Sequence, residues 1–168
     1  MQAELPAPIR LIVSLSEAFT FELKINPDIL YLMFQLEEKQ KQKIAEMCQN
    51  FGVTLLLLFG SQVSGKIHEE SDIDLAFASN HHLSFEEETR LNAELQAIFG
   101  EQPIQTVNIF KTNPLLKKRI FDEHLPLYVE SSFLYYTLAS YAIKSYLETK
   151  QLRDNVGEYL KQKYVKNR

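Results

Sequence analysis

Apolar and polar positions change period several times along this 168-residue chain. Near the start, Ile9, Leu11, Val13 and Leu15 alternate with their neighbours, and Phe19, Phe21, Leu23 and Ile25 do the same. That period of two predicts two strands, paired as a hairpin around Ser16-Glu17. Asn26-Pro27-Asp28 has the form of a helix start, with Pro at the first helical position. Ile29, Leu32, Met33, Leu36, Ile44 and Met47 follow at near-helical spacing and predict a helix reaching Gln49, exposed over its polar stretch from Glu37 to Lys43. Val53 to Phe59 is then an unbroken apolar run and Ile73 to Ser79 a second, both read as strands. Ser84-Phe85-Glu86-Glu87 is a capping box that opens a helix to Phe99, with Gly100 as its stop. A third strand is expected from Ile104 to Phe110, a turn over Lys111 to Asn113, and a short helix from Pro114 to Asp122. Ser132 is the expected cap of a long helical tail. Its stripe includes Leu134, Leu138, Tyr141, Ser145 and Leu147, with an interruption near Gly157.

Strand, loop, strand, helix and strand in that order suit an α/β or α+β fold in which helices cover a sheet. Length and a 45% hydrophobic, 24% charged composition fit an ordinary globule large enough to bury a core. Three segments are expected: an N-terminal extension over 1–42, a core over 43–130 and a C-terminal helical segment over 131–168. The net charge of −4 gives no general footprint for nucleic acid, and no direct nucleic-acid binding is expected. From Lys144 to Arg168, however, seven basic residues face three acidic ones, which marks a solvated helix face or a surface for an acidic partner. Cys48 is the single cysteine, so no internal disulfide can form, and its helical setting points to a buried, neutral thiol. No apolar run is long enough to span a membrane and the first residues lack a signal peptide's basic lead. A cytoplasmic protein without membrane contact is expected.

The candidate chemistry sits on the two apolar runs. Leu55-Leu56-Leu57-Leu58-Phe59 ends in Gly60-Ser61, and ten residues later comes Asp72-Ile73-Asp74-Leu75. Side chains at i and i+2 of a strand share a face, about 7 Å apart at the backbone. Carboxylates so placed can converge on hard cations, which prefer oxygen ligands. A Gly-Ser turn at a strand end offers backbone N–H groups and a hydroxyl to a phosphate. Asp is also a common turn residue, which would account for Asp72. It does not account for Asp74, inside the apolar run Ile73 to Ala78, where a carboxylate needs a partner or a metal.

A rival pattern overlaps these residues. Gly60 to Lys66 satisfies GxxxxGK after a strand, the opening of a Walker A loop. The hydroxyl that would bind Mg²⁺ is missing, since Ile67 stands there, and the chain runs on into a strand instead of a helix. Gly65 and Lys66 therefore belong to the loop between the strands, with Lys66 a candidate for triphosphate contact. His81-His82 reads as a solvated turn, and His68 lies near the motif.

Gly60-Ser61, ten residues, then Asp72-x-Asp74 resemble the GSx10DxD pattern of the minimal nucleotidyltransferases (MNT) in the polymerase-beta-like superfamily. Leu-Phe-Gly-Ser and Ser-Asp-Ile-Asp-Leu are similar to that family too, and a weaker similarity extends from Lys43 to Val129, including Asn113-Pro114-Leu115-Leu116. The resemblance implies a mixed sheet flanked by helices. It also implies a site in which Asp72 and Asp74 bind Mg²⁺ (or Mn²⁺), while Gly60, Ser61 and Lys66 hold the phosphates of ATP or another NTP. Two departures stand out. The family's third carboxylate, on a later core strand, is replaced here by Gln105 or Asn108, whichever faces the site. Neither amide can neutralise charge or take a proton at neutral pH. Gln62 and Ser64 stand where the family often has basic residues, so triphosphate binding should weaken. Arg119 and His124 share an R-x4-H spacing with HEPN ribonucleases, but straddle the expected helix end.

The similarity to MNT antitoxins implies transfer of AMP from ATP to a hydroxyl of a cognate HEPN-type toxin, a tyrosine in that family. A second reading is a degenerate MNT subunit that neutralises its partner by binding alone. A third is nucleotidylation of a small molecule, with an acceptor pocket built from the terminal segments. Asp72, Asp74 and Ser61 favour the enzyme, and the amides at Gln105 and Asn108 favour the binding module.

Overall fold

The computed structural model describes residues 36–64 and 72–165. The expected hairpin over residues 9–25, the helix start at Asn26 and the loop residues Gly65 and Lys66 lie outside the described residues. The first element of the described residues is α1, Glu38–Asn50. The expected helix to Gln49 is therefore present, but it does not run through Leu36 and Glu37. Glu37 has an extended ψ of 147° and forms a reciprocal capping box with Gln40, which fixes a new helix start there.

Two strands follow the expected limits, β1 at Val53–Phe59 and β2 at Ile73–Ser79. Between them, a single helical turn α2, Ser61–Ser64, starts directly after Gly60. The remaining elements are α3 (Phe85–Phe99), β3 (Ile104–Asn108), α4 (Pro114–Asp122), β4 (His124–Val129), α5 (Ser132–Glu148) and α6 (Lys150–Val165). Ser84 and Glu87 make the predicted capping box of α3, and Asn113 caps α4 with Pro114 in its first turn. β3 ends at Asn108, two residues before the expected limit, because the Asn108 side chain accepts from the Phe110 N–H and turns the chain.

The sheet order is β3-β2-β1-β4; β1 pairs antiparallel with β2 and β4, and β2 pairs parallel with β3. The mixed sheet flanked by helices is thus the expected α+β fold. All of β1 is buried, which explains its unbroken apolar run: helices cover both faces. On one face Leu56, Leu58, Leu75 and Phe77 pack with Ile44, Met47 and Cys48 of α1 and with Leu91 and Leu95 of α3. On the other, Leu55, Leu57, Ala76 and Ala78 pack with Ile120 of α4 and with Tyr135 and Leu138 of α5. Cys48 is the expected buried thiol, its ionisation suppressed by burial.

The C-terminal helices depart from expectation in three places. The cap of α5 is Ser131, one residue earlier than Ser132, its hydroxyl accepting from the Leu134 N–H. Of the expected stripe, Leu138 and Ser145 are buried and Leu134 is partly buried, but Tyr141 and Leu147 are exposed, and Tyr135 and Ala142 are buried in their place. The helical tail changes at Thr149, and Gly157 lies inside α6. An isolated Gly costs about 1 kcal/mol in a helix interior without having to end the helix. Among the described residues no helix is long and apolar enough to cross a membrane.

Candidate functional site

At the C-terminal end of β1, Gly60 adopts φ +82°, a conformation open to glycine and strained for other residues. It also leaves room for a neighbour. A Cβ at Gly60 would collide with Asp74 Oδ2 and lie 3.0 Å from Asp74 Cγ. The strand-end turn and the acidic residue are therefore fitted to each other, and the Asp74 carboxylate lies against bare backbone. The helical turn α2 starts at Ser61, directly after that point, with the Val63 N–H donating to the Gly60 carbonyl at 3.2 Å.

Asp72 immediately precedes β2, and Asp74 is its second residue. Strand register decides between the two amides of β3. Asp74 is paired with Gln105, and Phe77 with Asn108. Paired residues project from the same face, so Gln105 shares a side with Asp74, while Asn108 shares one with Leu75 and Phe77. Hydrogen bonds agree. Gln105 Nε2 donates to Asp72 Oδ2 at 2.5 Å, whereas Asn108 Nδ2 reaches Glu88 of α3 at 3.4 Å on the opposite face. Asn108 is thereby removed as a candidate for the missing carboxylate. Its side chain shapes the end of β3 instead.

Asp74 is half-buried, and its pKa is raised first by burial and then by the charge of Asp72. A carboxylate whose ionisation is opposed by burial and by a neighbouring acid forms, with that neighbour, a donor set suited to a divalent cation, which relieves both costs. The Gln105 amide can add a neutral oxygen but no charge.

Cross-strand pairing extends the row. Asp74 pairs with Phe59 of β1, and Phe59 with His124 of β4. Gln105, Asp74, Phe59 and His124 thus line one face from edge to edge. At a strand spacing of about 4.8 Å, His124 stands about 10 Å from Asp74 at the backbone. His124 Nε2 is 2.9 Å from the Tyr135 hydroxyl of α5, and its buried Nδ1 has no hydrogen-bond partner of good geometry. Burial lowers its pKa to about 4, the Ile120 and Phe121 carbonyls at the end of α4 pulling weakly the other way. Arg119 lies within α4 and His124 on β4, so the R-x4-H pair straddles the helix end as expected. The sequence reading did not identify β4. Its signal was the alternation of Leu125, Leu127 and Val129, obscured by Pro126.

β1 and β2 are antiparallel neighbours only 13 residues apart, too few for the long helix packed on the sheet that follows a Walker A loop. His81 is exposed, with Nδ1 2.7 Å from Asn80 Oδ1, in the expected polar turn.

Several solved structures share this fold. A chain of a toxin–antitoxin crystal structure with AMP-PNP is 20% identical, with a TM-score of 0.63, over 71% of this chain and 97% of its own length. A chain of the toxin–antitoxin MntA-HepT is 17% identical at a TM-score of 0.60, covering 74% and 98%. A third match comes from the tri-AMPylated Shewanella oneidensis HEPN toxin in complex with MNT antitoxin. It is 17% identical at a TM-score of 0.59, covering 73% and 97%. No curated protein sequence matches the chain. The family model for the polymerase beta nucleotidyltransferase domain matches residues 42–132, from within α1 to the start of α5 and more than half of the chain. By that match, and with the sheet and helices that the solved structures share, the chain belongs to the polymerase beta nucleotidyltransferase family.

Proposed function

We propose that the protein is a Mg²⁺-dependent nucleotidyltransferase that moves a nucleoside monophosphate, AMP by preference, from an NTP to a hydroxyl of a partner protein. The partner is a HEPN-type toxin, and the protein acts as its antitoxin. The observation that carries this reading is the seat of Asp74 against the bare backbone of Gly60, with Asp72 beside it. Its biological setting is supported by the toxin–antitoxin complexes among the fold's relatives.

Asp72 and Asp74 would hold the cation. When bound, it supplies charge neutralisation to the triphosphate, the main requirement of phosphoryl transfer along with positioning. Gly60 and Ser61 offer backbone N–H groups and a hydroxyl to the phosphates, and Lys66 adds a positive charge from the loop. Gln105 keeps Asp72 oriented through its amide hydrogen bond. The acceptor oxygen forms its bond to the α-phosphorus as the bond to pyrophosphate breaks. With an amide at Gln105, no third carboxylate takes the acceptor's proton, which is left to solvent. Turnover is therefore slow.

Calorimetry with Mg²⁺–ATP, followed by mass spectrometry of a co-expressed HEPN-type partner, tests the reading. Weak nucleotide binding, lost in Asp72→Asn/Asp74→Asn, and one added nucleotide mass on the partner are expected. No binding at millimolar Mg²⁺–ATP overturns it. The same hydrogen bond from Gln105 favours one alternative, in which the site no longer turns over and contact alone neutralises the partner. Nucleotide binding without transfer, together with a stable complex, would establish that alternative.

A further inference from the structure

Helix α5 packs on the body through Tyr135, Leu138, Ala142 and Ser145, spaced three, four and three residues apart. The same alternation continues without a break through Thr149, Leu152, Val156, Tyr159 and Lys163. In space the two helices meet at Thr149, which ends α5. The Thr149 N–H donates to the Ser145 carbonyl at 3.3 Å and the Arg153 N–H to the Thr149 carbonyl at 3.1 Å, one bond on either side of the break, while the Arg153 side chain and the Thr149 hydroxyl donate to the Tyr146 carbonyl. The stripe is continuous in sequence and falls on two successive helices, with its first half buried. In the second half Leu152 is 65% exposed and Tyr159 61%, and no described side chain of α6 is buried. At about 1.5 Å per residue, the 16 residues of α6 extend the stripe by about 24 Å past the packed half.

We propose that the exposed stripe of α6, formed by Leu152, Val156, Tyr159, Leu160 and Tyr164, is a docking surface for an amphipathic helix of a partner protein whose apolar seam is edged by carboxylates. The spacing of three and four selects a helix as the occupant, because such a seam presents knobs to the holes of another helix. Charge selects the sign. Asp154 and Glu158, the two acidic residues of α6, fall on the side opposite the stripe at 3.6 residues per turn. Of the cations, Lys161 lies beside Asp154, whereas Arg153 and Lys163 fall within the arc of the stripe. Arg153 stacks 3.7 Å over the Tyr146 ring and donates to the Tyr146 carbonyl at 2.6 Å. Lys163 Nζ lies 5.9 Å from the Tyr159 ring centre and 5.7 Å from that of Tyr164.

A second copy of the chain is the poorer occupant. An antiparallel pair that matches Leu152 with Tyr164 and Val156 with Leu160 also sets Arg153 of each copy opposite Lys163 of the other. A parallel pair sets Lys163 against Lys163. Like charges at either register oppose association. The stripe lies on a different element from Asp72, Asp74 and Gly60, and the inference does not depend on nucleotide transfer.

Two synthetic helical peptides with the same apolar heptad positions, one flanked by Glu and the other by Lys, serve as probes of the full chain in fluorescence anisotropy. The Glu-flanked peptide should bind at least tenfold tighter than the Lys-flanked one, and its binding should weaken as salt is raised. Val156→Glu/Tyr159→Glu should lose that binding by more than tenfold while keeping the helical circular dichroism and Mg²⁺–ATP binding of the parent. Lys163→Glu, which keeps the apolar stripe, should shift the preference towards the Lys-flanked peptide. Equal binding of the two peptides, or binding of neither, overturns the proposal. So does light scattering that shows a dimer dissolved by Val156→Glu/Tyr159→Glu, which would make a second copy the occupant.

Discussion

At Gly60 a positive φ and the Asp74 carboxylate impose the same demand, that no side chain be present. Gly60→Ala should therefore cost about 1–3 kcal/mol, the usual scale of local backbone strain, in urea denaturation. It should also weaken Mg²⁺–ATP binding, because Asp74 must move. Asp74→Asn should act in the opposite direction on stability. A carboxylate whose folded pKa is raised contributes least once it is ionised, so at neutral pH Asp74 carries a cost from burial and from Asp72. In chelator, Asp74→Asn should raise Tm slightly, an effect limited by solvent around a half-exposed group. The extra Tm that Mg²⁺–ATP gives the parent should vanish in the same variant. Strand pairing makes the missing carboxylate a test of position as well as charge. Gln105→Asp places an acid on the face of Asp74, and Asn108→Asp places one on the face of α3 beside Glu88. Nucleotide transfer should rise only in Gln105→Asp, by about a hundredfold if the new group serves as a general base. A gain in Asn108→Asp alone would contradict the register argument.

Element by element, the sequence was most legible where local chemistry and tertiary environment agree. β1 and β2 were readable to the residue because both faces of each strand are covered and neither carries an ambiguous end. α3 and α4 were readable from side chains that close their own first turns, Ser84 with Glu87 and Asn113 with Pro114. β4 was not, because a proline inside a strand argues against one. Its place at the sheet edge removes the objection: Leu56 pairs with Tyr128 and Leu57 with Pro126, and the register shift between them leaves Leu127 as the extra residue of a bulge. The pair of carboxylates and the Gly-Ser turn could be read from spacing alone. The choice between Gln105 and Asn108 could not, since it depends on which residue of β3 lies beside Asp74. β4 also carries the one strongly shifted imidazole among the described residues. His124 in the folded state has a pKa of about 4 against an ordinary value of 6.5, so the unfolded chain binds the extra proton first. Stability from its neutral form is complete above pH 6.5 and is lost as pH falls towards 4. The loss between pH 7 and 5 should be about 2 kcal/mol. His124→Gln retains a hydrogen-bonding group for Tyr135 without titrating. Urea midpoints of the parent should fall more steeply than those of His124→Gln over that range, and parallel curves would exclude His124 as the cause.

At the scale of the whole molecule, burial divides the protein unevenly. The two apolar layers that cover the sheet draw on every described helix from α1 to α5, including Val63 of the turn α2, and on nothing beyond Ser145. Stability follows apolar area removed from water, at about 25 cal/mol per Å², so a helix that buries no side chain adds little to the folding free energy of the body. Its ion pair, Lys150 with Asp154 at 2.6 Å, is solvent-exposed, and such pairs contribute little. Arg153 ties α6 to α5, through the ring and carbonyl of Tyr146. A chain ending at Thr149 loses that tie, together with the net positive charge of the tail. It should unfold cooperatively with a Tm within a few degrees of the full chain, since about 1 kcal/mol corresponds to a shift of roughly 2–8 °C at this size. It should bind Mg²⁺–ATP as the full chain does, because Gly60, Ser61, Asp72, Asp74 and Gln105 all belong to the sheet end. If scanning calorimetry instead shows a broad transition or a Tm lower by tens of degrees, α6 is part of the folding unit, and its exposed apolar residues contribute to the core in a way that their burial does not account for.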